Sequence, residues 1–380
     1  MKFEHSLYQK PLSMTGFGGG VTSLSVAGGG GLVNPFDDMS NFPGATRVGT
    51  SNVIYYSSAG TTYSFTDPNG GASTYRFTAV GGGGSTSGDG HGWYGVIGGG
   101  GGGAARGEIQ TAQTLGITVG YGGGSPGYFG FSGSGNDQSY FNDSLTGAFN
   151  NYNRVKGRGG VSYVQSAPNP SGTWLIYGTG GMPAPYGYPD SAYSTILSAS
   201  SNGYTAMNGG RGFWENGGYG TVTSGGGVTV NNGSTEDGGT GGCAAHKGSY
   251  SPSNMPKHPL DGYNSYPSQT EWVATAGQNT TYAGPGGGGG SDHAETYYGT
   301  NAAGGAGGTA SGLNSLLSGS GLSSAGGNGS NYGTNQAVST RGTVGGGSGG
   351  NSRSTGNSSA SNWSDSHVEG NGIVIVEYLG

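Results

Sequence analysis

A run of six glycines, residues 98–103, lies in the middle of the most constraining stretch of this sequence, residues 92–124. Apolar residues that favour strands flank the run, at 93–97 before it and at 105–110 and 115–119 after it. A glycine run of this length usually forms a flexible linker. Because a linker does not need strand-forming residues at both ends, the stretch predicts strands joined through ordered glycine tracts.

The overall composition favours order, although it first suggests the opposite. Glycine supplies 92 and proline 15 of the 380 residues, a share typical of low-complexity chains. Aromatic residues make up 11% of the chain, whereas disordered segments contain few of them. Charged residues make up only 8%, so self-repulsion that would expand the chain is weak.

Several classes of protein are excluded by simple features of the sequence. The net charge is −6 and the 13 basic residues form no patch, which argues against nucleic-acid binding. No strict Gly-x-y repeat indicates collagen, and the lone Cys243 cannot form an intramolecular disulfide. The first residues lack the apolar stretch of a secretory signal, and no run of about 18 apolar residues predicts a membrane span. We therefore expect a soluble protein made in a reducing compartment and released without a classical signal.

Residues 1–72 are interpreted as an N-terminal β leader, which could be an attachment segment. Within it, residues 21–27 and 53–56 alternate apolar and polar side chains, as half-buried strands do. Turn signals follow at 34–38 and 67–70. The alternative, that these are the first strands of one larger domain, stays open.

From residue 73 to residue 380 strands alternate with glycine tracts, which we interpret as one glycine-rich domain. The C-terminal run 372–379 contains four consecutive β-branched or aliphatic residues, 373–376, and is apolar on both faces. Such a strand is expected to lie in the middle of a sheet. Its predicted partner is residues 75–80, so the chain between them forms insertions within a single domain. Residues 313–317 are too short and too closely bounded by glycine to predict a helix. Further strands are predicted at 108–109, 115–119, 161–164, 174–177 and around 222–230.

Glycine tracts can be ordered as extended helices with three residues per turn. In such helices the backbone N–H and C=O groups point outward and must find partners. Neighbouring helices supply those partners only where no Cβ holds them apart. Each bond contributes only about 0.5–1.5 kcal/mol, while glycine loses the most conformational freedom on folding. We therefore expect tracts to be ordered only when many pack together on a β scaffold.

Four phrases of the sequence resemble the glycine-rich C-terminal domains of phage tail fibres and related virion adhesins. These are a strand that ends in VGGGG, then GVIGGGGGGAARGEI, then QTLGITVGYGGG, and finally GIVIVEY near the C-terminus. The resemblance covers about residues 73–380 and is strongest at the two ends of that range. Long-tail-fibre tip adhesins are similar in carrying packed polyglycine II helices with host-recognition loops. The glycine-rich extracellular region of anaplastic lymphoma kinase is similar in joining such helices to a jelly-roll-like β-sandwich, but it has disulfides, which this chain lacks.

The resemblance implies an all-β fold, a jelly-roll-like β-sandwich with inserted polyglycine II helices and almost no α-helix. It also implies a non-catalytic tail fibre or fibre-tip adhesin that attaches to the bacterial host surface. The receptor would be a polysaccharide or an outer-membrane protein, and the leader would bind other tail or fibre proteins. A homotrimer and a monomeric tip both remain open. The expected location is the virion, after synthesis in the host cytoplasm without a signal peptide, and neither nucleic-acid binding nor membrane insertion is expected.

Catalytic patterns in the sequence are weak. The motif G-x-S-x-G occurs around Ser125 and Ser348, but it requires a strand-to-helix turn and partners, and a glycine-rich chain contains it by chance. The histidines lack metal-ligand spacing, so His91 and His293, each near an aspartate, are interpreted as exposed loop residues. Cys243 is interpreted as a small buried thiol. We predict no catalytic residue, no metal and no cofactor.

The connectors between the tracts are rich in Tyr, Ser and Asn, which is also the composition of antibody binding loops. Their aromatic side chains either recognise a receptor or seal the ends of the glycine bundle. The predicted receptor-binding residues are Tyr186, Tyr188, Trp214, Tyr219, Tyr263, Tyr266, Trp272 and Tyr297.

Two other functions are left open by the sequence. One is a non-viral, glycine-rich cell-surface or filament-forming structural protein. The other is a fibre-borne enzyme that degrades polysaccharide, for which no pair of carboxylates can be placed from sequence.

Overall fold

The computed structural model describes residues 34–84, 98–123, 159–181, 218–242, 244–245, 273–274, 276–289, 304–329, 340–347, 349 and 370–380. All of them belong to one compact unit, Val33–Gly380. Thirteen strands, one short α-helix and two 3₁₀ helices, Pro35–Asp37 and Met39–Asn41, form the regular structure of this part of the chain. The strands are β1 Thr46–Arg47, β2 Val53–Tyr56, β3 Thr62–Phe65, β4 Tyr75–Val80, β5 Ala104–Ile109, β6 Leu115–Thr118, β7 Ser162–Gln165, β8 Trp174–Gly178, β9 Gly220–Val222, β10 Val230–Glu236, β11 Ala244–Ala245, β12 Val273–Ala274 and β13 Ile373–Tyr378.

Two antiparallel sheets contain eleven of these strands. The six-stranded sheet has the order β1-β2-β13-β4-β5-β10 and the five-stranded sheet the order β3-β6-β7-β8-β9. β11 and β12 form a separate antiparallel pair. The predicted all-β sandwich is therefore confirmed.

The predicted pairing of the C-terminal strand with residues 75–80 is confirmed. β13 lies between β4 and β2, with Ile373 opposite Val80 and Tyr378 opposite Tyr75. Its first four residues are all buried, as a run without polar alternation requires. One strand from the end of the chain therefore holds the centre of the six-stranded sheet.

Apolar side chains from both sheets meet in one core. Phe77 from the six-stranded sheet and Ile117 and Ile176 from the five-stranded sheet are completely buried in it. Aromatic rings pack edge to face at one end, where the ring centroids of Phe65 and Phe77 are 5.2 Å apart. The sandwich is thus stabilised by apolar burial between its sheets, as the strand pattern predicts.

Strands β1, β2 and β3 come from the predicted leader, and they pair within the two sheets. The strand predicted at 53–56 is β2, whereas those predicted at 21–27 and 93–97 lie outside the described residues. Residues 46–65 thus supply strands to both sheets of the sandwich.

A helix that the sequence did not predict, α1, spans Ser311–Leu316. Leu313 and Leu317 are fully buried against the outer face of the six-stranded sheet, where Ile375 and Ala283 join the same cluster. Tertiary burial stabilises short helices that have little intrinsic stability, which explains why local sequence did not reveal this one. In the part of the chain that the structure describes, no helix is long and apolar enough to cross a membrane.

The turn predicted at 67–70 is organised by one carboxylate. Asp67 is 5% exposed and accepts hydrogen bonds from the Tyr75 hydroxyl (2.7 Å) and from the backbone N–H groups of Asn69, Gly71 and Ser73 (2.8–3.0 Å). Burial alone would raise the pKa of Asp67, but these donors lower it below the ordinary value of 3.8. Burial and the bond to Asp67 raise the pKa of Tyr75.

We expect the stability of the protein to depend on Asp67 at acid pH. Because its pKa is lower in the folded than in the unfolded chain, ionised Asp67 stabilises the fold above the ordinary carboxyl pKa, and this contribution is lost as pH falls through the lowered pKa. Asp67→Asn should lower the free energy of unfolding at pH 7 by about 1–3 kcal/mol and weaken its acid dependence. Urea unfolding between pH 2.5 and pH 7 measures both effects.

The matched control is Asp37→Asn at an exposed carboxylate, which is 3.0 Å from Arg47. A surface ion pair contributes little, so this change should cost less than about 1 kcal/mol. Equal losses in the two variants would contradict the role given to Asp67.

Candidate functional site

The strands of both sheets run on into glycine tracts without a change of register. Val80 of β4 lies opposite Ala104 of β5, and the next residues along, Gly81 and Gly103, are joined by an N–H to O bond of 3.0 Å. The same continuation joins Gly239 to Gly101, Gly83 to Gly370, Gly159 to Gly181, Gly160 to Tyr121 and Thr179 to Tyr219. Each of these tracts is therefore positioned by the strand that it continues.

Beyond the strands, the two sheets are joined directly by backbone hydrogen bonds. Three bonds of 2.9 Å cross between them, from the N–H groups of Gly82, Gly103 and Gly372 to the carbonyl oxygens of Gly160, Thr179 and Gly120. Stacked sheets ordinarily lie about 10 Å apart, because side chains fill the space between them. Where the side chains end, the two layers converge to hydrogen-bonding distance.

The hydrogen-bond partners of the backbone N–H groups along a tract repeat every three residues. The N–H groups of Gly81 and Gly84 both donate to the tract 98–103, whereas those of Gly82 and Gly83 donate to two other tracts. Within 98–103 the same spacing recurs, since Gly98 and Gly101 donate to Gly242 and Gly239. A tract can therefore bond to neighbours in three directions, whereas a strand, with its repeat of two, bonds only to the neighbours on its two sides.

Glycine is required at these positions because a Cβ would collide with a neighbouring backbone. A Cβ on Gly101 would lie 1.8 Å from the carbonyl oxygen of Gly284, and one on Gly286 would lie 1.8 Å from that of Thr240. A Cβ on Gly180 would lie 1.7 Å from the oxygen of Gly159. Carbonyl groups of bonded tracts cannot move aside without breaking their own bonds.

The ends of the tracts meet at one side of the bundle, which we call the distal edge. Hydrogen bonds join most of its residues in separate sets, for example from Gly98 to Gly242 and from Gly242 to Gly287. The distal edge consists of Gly83, Gly84, Gly98, Gly123, Gly159, Gly181, Gly242, Gly287, Gly289, Gly305, Gly329 and Gly370. The connectors 85–97, 124–158, 290–303 and 330–339 all leave and re-enter the described chain at or next to this edge. The connector 246–272 joins β11 to β12, and β11 begins two residues after Gly242 of the distal edge.

Of the predicted receptor-binding residues, the structure describes only Tyr219. It is half-buried at the start of β9, and its backbone exchanges hydrogen bonds with Thr179 (2.7–3.2 Å). Its backbone thus lies at the junction of strand and tract. The other predicted residues, Tyr186, Tyr188, Trp214, Tyr263, Tyr266, Trp272 and Tyr297, lie outside the described residues.

The positions weighed for catalysis and metal binding, Ser125, Ser348, His91, His293 and Cys243, also lie outside the described residues. Among the residues that are described, no group of three or more His, Cys, Asp and Glu could hold a metal ion.

An aromatic group on the five-stranded sheet was not singled out from the sequence. The rings of Tyr163 and Trp174 are stacked with centroids 4.4 Å apart, and Tyr177 meets Trp174 edge to face at 5.4 Å. Val164 and Ile176 point into the core, so their neighbours Tyr163 and Tyr177 lie on the outer face. The signal that could have indicated it is the presence of Trp174 and Tyr177 in one strand and Tyr163 in the preceding one.

Charged side chains form a network on the outer face of the six-stranded sheet, which sequence reasoning also missed. Arg76 pairs with Glu108, and Arg106 pairs with Glu377 at 2.7 Å and bonds Thr78. The hydrogen bonds from Arg76 and then Asn232 lower the pKa of Glu108, and Glu108 raises the pKa of Arg76. The spacing Arg-x-Glu in 106–108, with Arg76 on the paired strand, could have indicated these cross-strand pairs.

Neither a known protein-family model nor the sequence of a characterised protein matches this chain.

A single added methyl group within a tract should destabilise the protein. In Gly101→Ala the new Cβ meets the backbone of Gly284, and overpacking of this kind costs about 1–3 kcal/mol. The loss is measured as the fall in the free energy of urea unfolding, followed by tryptophan fluorescence.

The control is Gly319→Asn, at a turn glycine with φ +89° and no atom within 4 Å of the added Cβ. Asn tolerates positive φ, so we expect a change smaller than about 1 kcal/mol. Similar stability of Gly101→Ala and the wild-type protein would contradict the close approach of the tracts.

Proposed function

We propose that this chain is a structural virion protein, a tail fibre or fibre-tip adhesin that attaches the particle to the bacterial host surface without catalysis. The observation that carries the proposal is the distal edge, where long connectors leave a scaffold whose glycine tracts have no room for a Cβ. Binding residues are commonly carried by loops on a rigid scaffold. Seven of the eight predicted receptor-binding residues belong to connectors that start or end beside this edge.

Under this proposal the glycine tracts form a polyglycine II bundle. Its support is the repeat of three in the hydrogen-bond partners and the collision of any added Cβ with neighbouring backbone. A bundle of this kind is held by backbone bonds, so the connectors can differ in sequence while their anchor points stay fixed. Such an arrangement suits a protein whose receptor changes from host to host.

The receptor would be a surface polysaccharide or an outer-membrane protein, and the N-terminal leader would bind other tail or fibre proteins. The chain would be made in the host cytoplasm and would act on the virion, either as a homotrimer or as a monomeric tip. A non-viral, filament-forming surface protein is the alternative, and polymerisation of the purified chain on its own would favour it.

Replacement of connector 250–272 by a Gly/Ser spacer of equal length should abolish binding to cells on which the particles grow. The anchors β11 and β12 stay in place, so the midpoint of thermal unfolding should change little. Flow cytometry with fluorescently labelled protein measures the binding.

The matched control is the same replacement in connector 330–339, which contains none of the predicted receptor-binding residues and should retain binding. Unchanged binding after replacement of 250–272 would count against recognition by that connector. Immunogold labelling of particles tests the location, because gold at fibre ends supports the proposal and gold along cell-surface filaments overturns it.

A further inference from the structure

A cavity of about 260 Å³ lies at edge strand β10, and none of its lining residues belongs to the distal edge. Three segments line it: β5 with Ala104 and Arg106, β10 with Ser234, Thr235 and Glu236, and the loop residues Thr281 and Tyr282. Ala104 directly follows the tract 98–103, so the cavity is at the level where the sheet passes into the tracts.

The walls of this cavity are fixed by contacts that do not involve a ligand. The Glu236 carboxylate accepts hydrogen bonds from the successive backbone N–H groups of Thr281 (2.7 Å), Tyr282 (2.5 Å) and Ala283 (3.0 Å). The Arg106 guanidinium lies 3.8 Å from the centroid of the Tyr282 ring. β10 and the loop are thus held together, and little order has to be gained when a ligand binds.

Several polar groups of the lining are left without partners by these contacts. Arg106 uses Nε for Thr78 and Nη2 for Glu377, and within the described residues its Nη1 has no partner. The hydroxyls of Ser234, Thr235 and Thr281 likewise make no hydrogen bond to the part of the chain that is described. The cavity therefore offers donors and acceptors of hydrogen bonds at several separate points.

The charges around the cavity select a neutral ligand. One guanidinium is accompanied by two carboxylates, Glu236 in the lining and Glu377 at 2.7 Å from Arg106. Phosphate and acidic sugars would be repelled by that balance, while a cation would meet Arg106. An apolar ligand would remove water from the hydroxyls without replacing its hydrogen bonds.

We propose that this cavity binds one neutral sugar residue of a surface polysaccharide. A hexose carries hydroxyls around a compact ring, which matches both the scattered polar groups and a volume below the roughly 300–1,000 Å³ of pockets for larger ligands. The inference rests on the proposed function, to which it adds a class of receptor and a second point of contact, separate from the distal edge.

The test uses the full chain and saturation-transfer NMR with the methyl glycosides of glucose, galactose, mannose and N-acetylglucosamine, together with methyl glucuronide and inorganic phosphate. At least one neutral glycoside should bind, and the two anions should not. The double variant Ser234→Ala/Thr281→Val removes two hydroxyls and should weaken binding about tenfold, as expected for two hydrogen bonds. Ser234→Trp, at an exposed position of an edge strand, should block the cavity and abolish binding.

The control is Ser64→Ala, which removes an exposed hydroxyl from edge strand β3 of the other sheet and should leave affinity unchanged. The inference is overturned if no neutral glycoside binds, if the anions bind more tightly, or if binding is unchanged in Ser234→Trp. Cell binding without glycoside binding would overturn this site and leave the adhesin proposal standing. Glycoside binding by a chain that attaches to no cell would support this site and count against the adhesin proposal.

Discussion

The absence of Cβ atoms at the ends of the strands is the constraint on which the rest of this structure depends. Two packed sheets are normally kept apart by the side chains between them. Here the side chains end at Val80 and Ala104, and the glycines next to these two residues let the two layers bond through backbone groups at 2.9 Å. At the same point the repeat of the backbone hydrogen-bond partners changes from two residues to three. Each tract can therefore have neighbours outside the plane of a sheet.

Such a glycine layer depends on the sandwich beneath it. Its bonds contribute about 0.5–1.5 kcal/mol each, and glycine has the largest loss of backbone entropy on folding. The aromatic and aliphatic core between the sheets, together with the cluster under α1, provides apolar burial that glycine cannot. Because six strand pairs pass their register on to pairs of tracts, the order of the core is transmitted into the glycine layer residue by residue.

The sequence predicts the sandwich well because the signals of its strands are local. β-branched and aromatic residues mark β4, β8 and β13, and the lack of polar alternation in β13 indicates its central place. Helix α1 escapes prediction because its stability comes from distant residues such as Ile375. For the same reason sequence alone does not reveal the lateral cavity, since Arg106, Ser234 and Tyr282 come from three separate segments. The composition of the connectors does predict where recognition is to be sought, but only the structure shows that their anchor points share one edge.

Charge and polarity divide the surface of the sandwich between its two sheets. The strands of the five-stranded sheet contain no charged residue, whereas β4, β5, β10 and β13 of the other sheet carry Arg76, Arg106, Glu108, Glu236 and Glu377. On that sheet the charges are used in pairs or on backbone N–H groups, so they fix the geometry of the outer face instead of adding net charge to it. Hydroxyls without partners among the described residues lie beside these fixed charges, and the proposed neutral ligand rests on this combination. The same chain thus separates a glycine layer, whose composition is dictated by close backbone contact, from surfaces whose side chains are not restricted in this way.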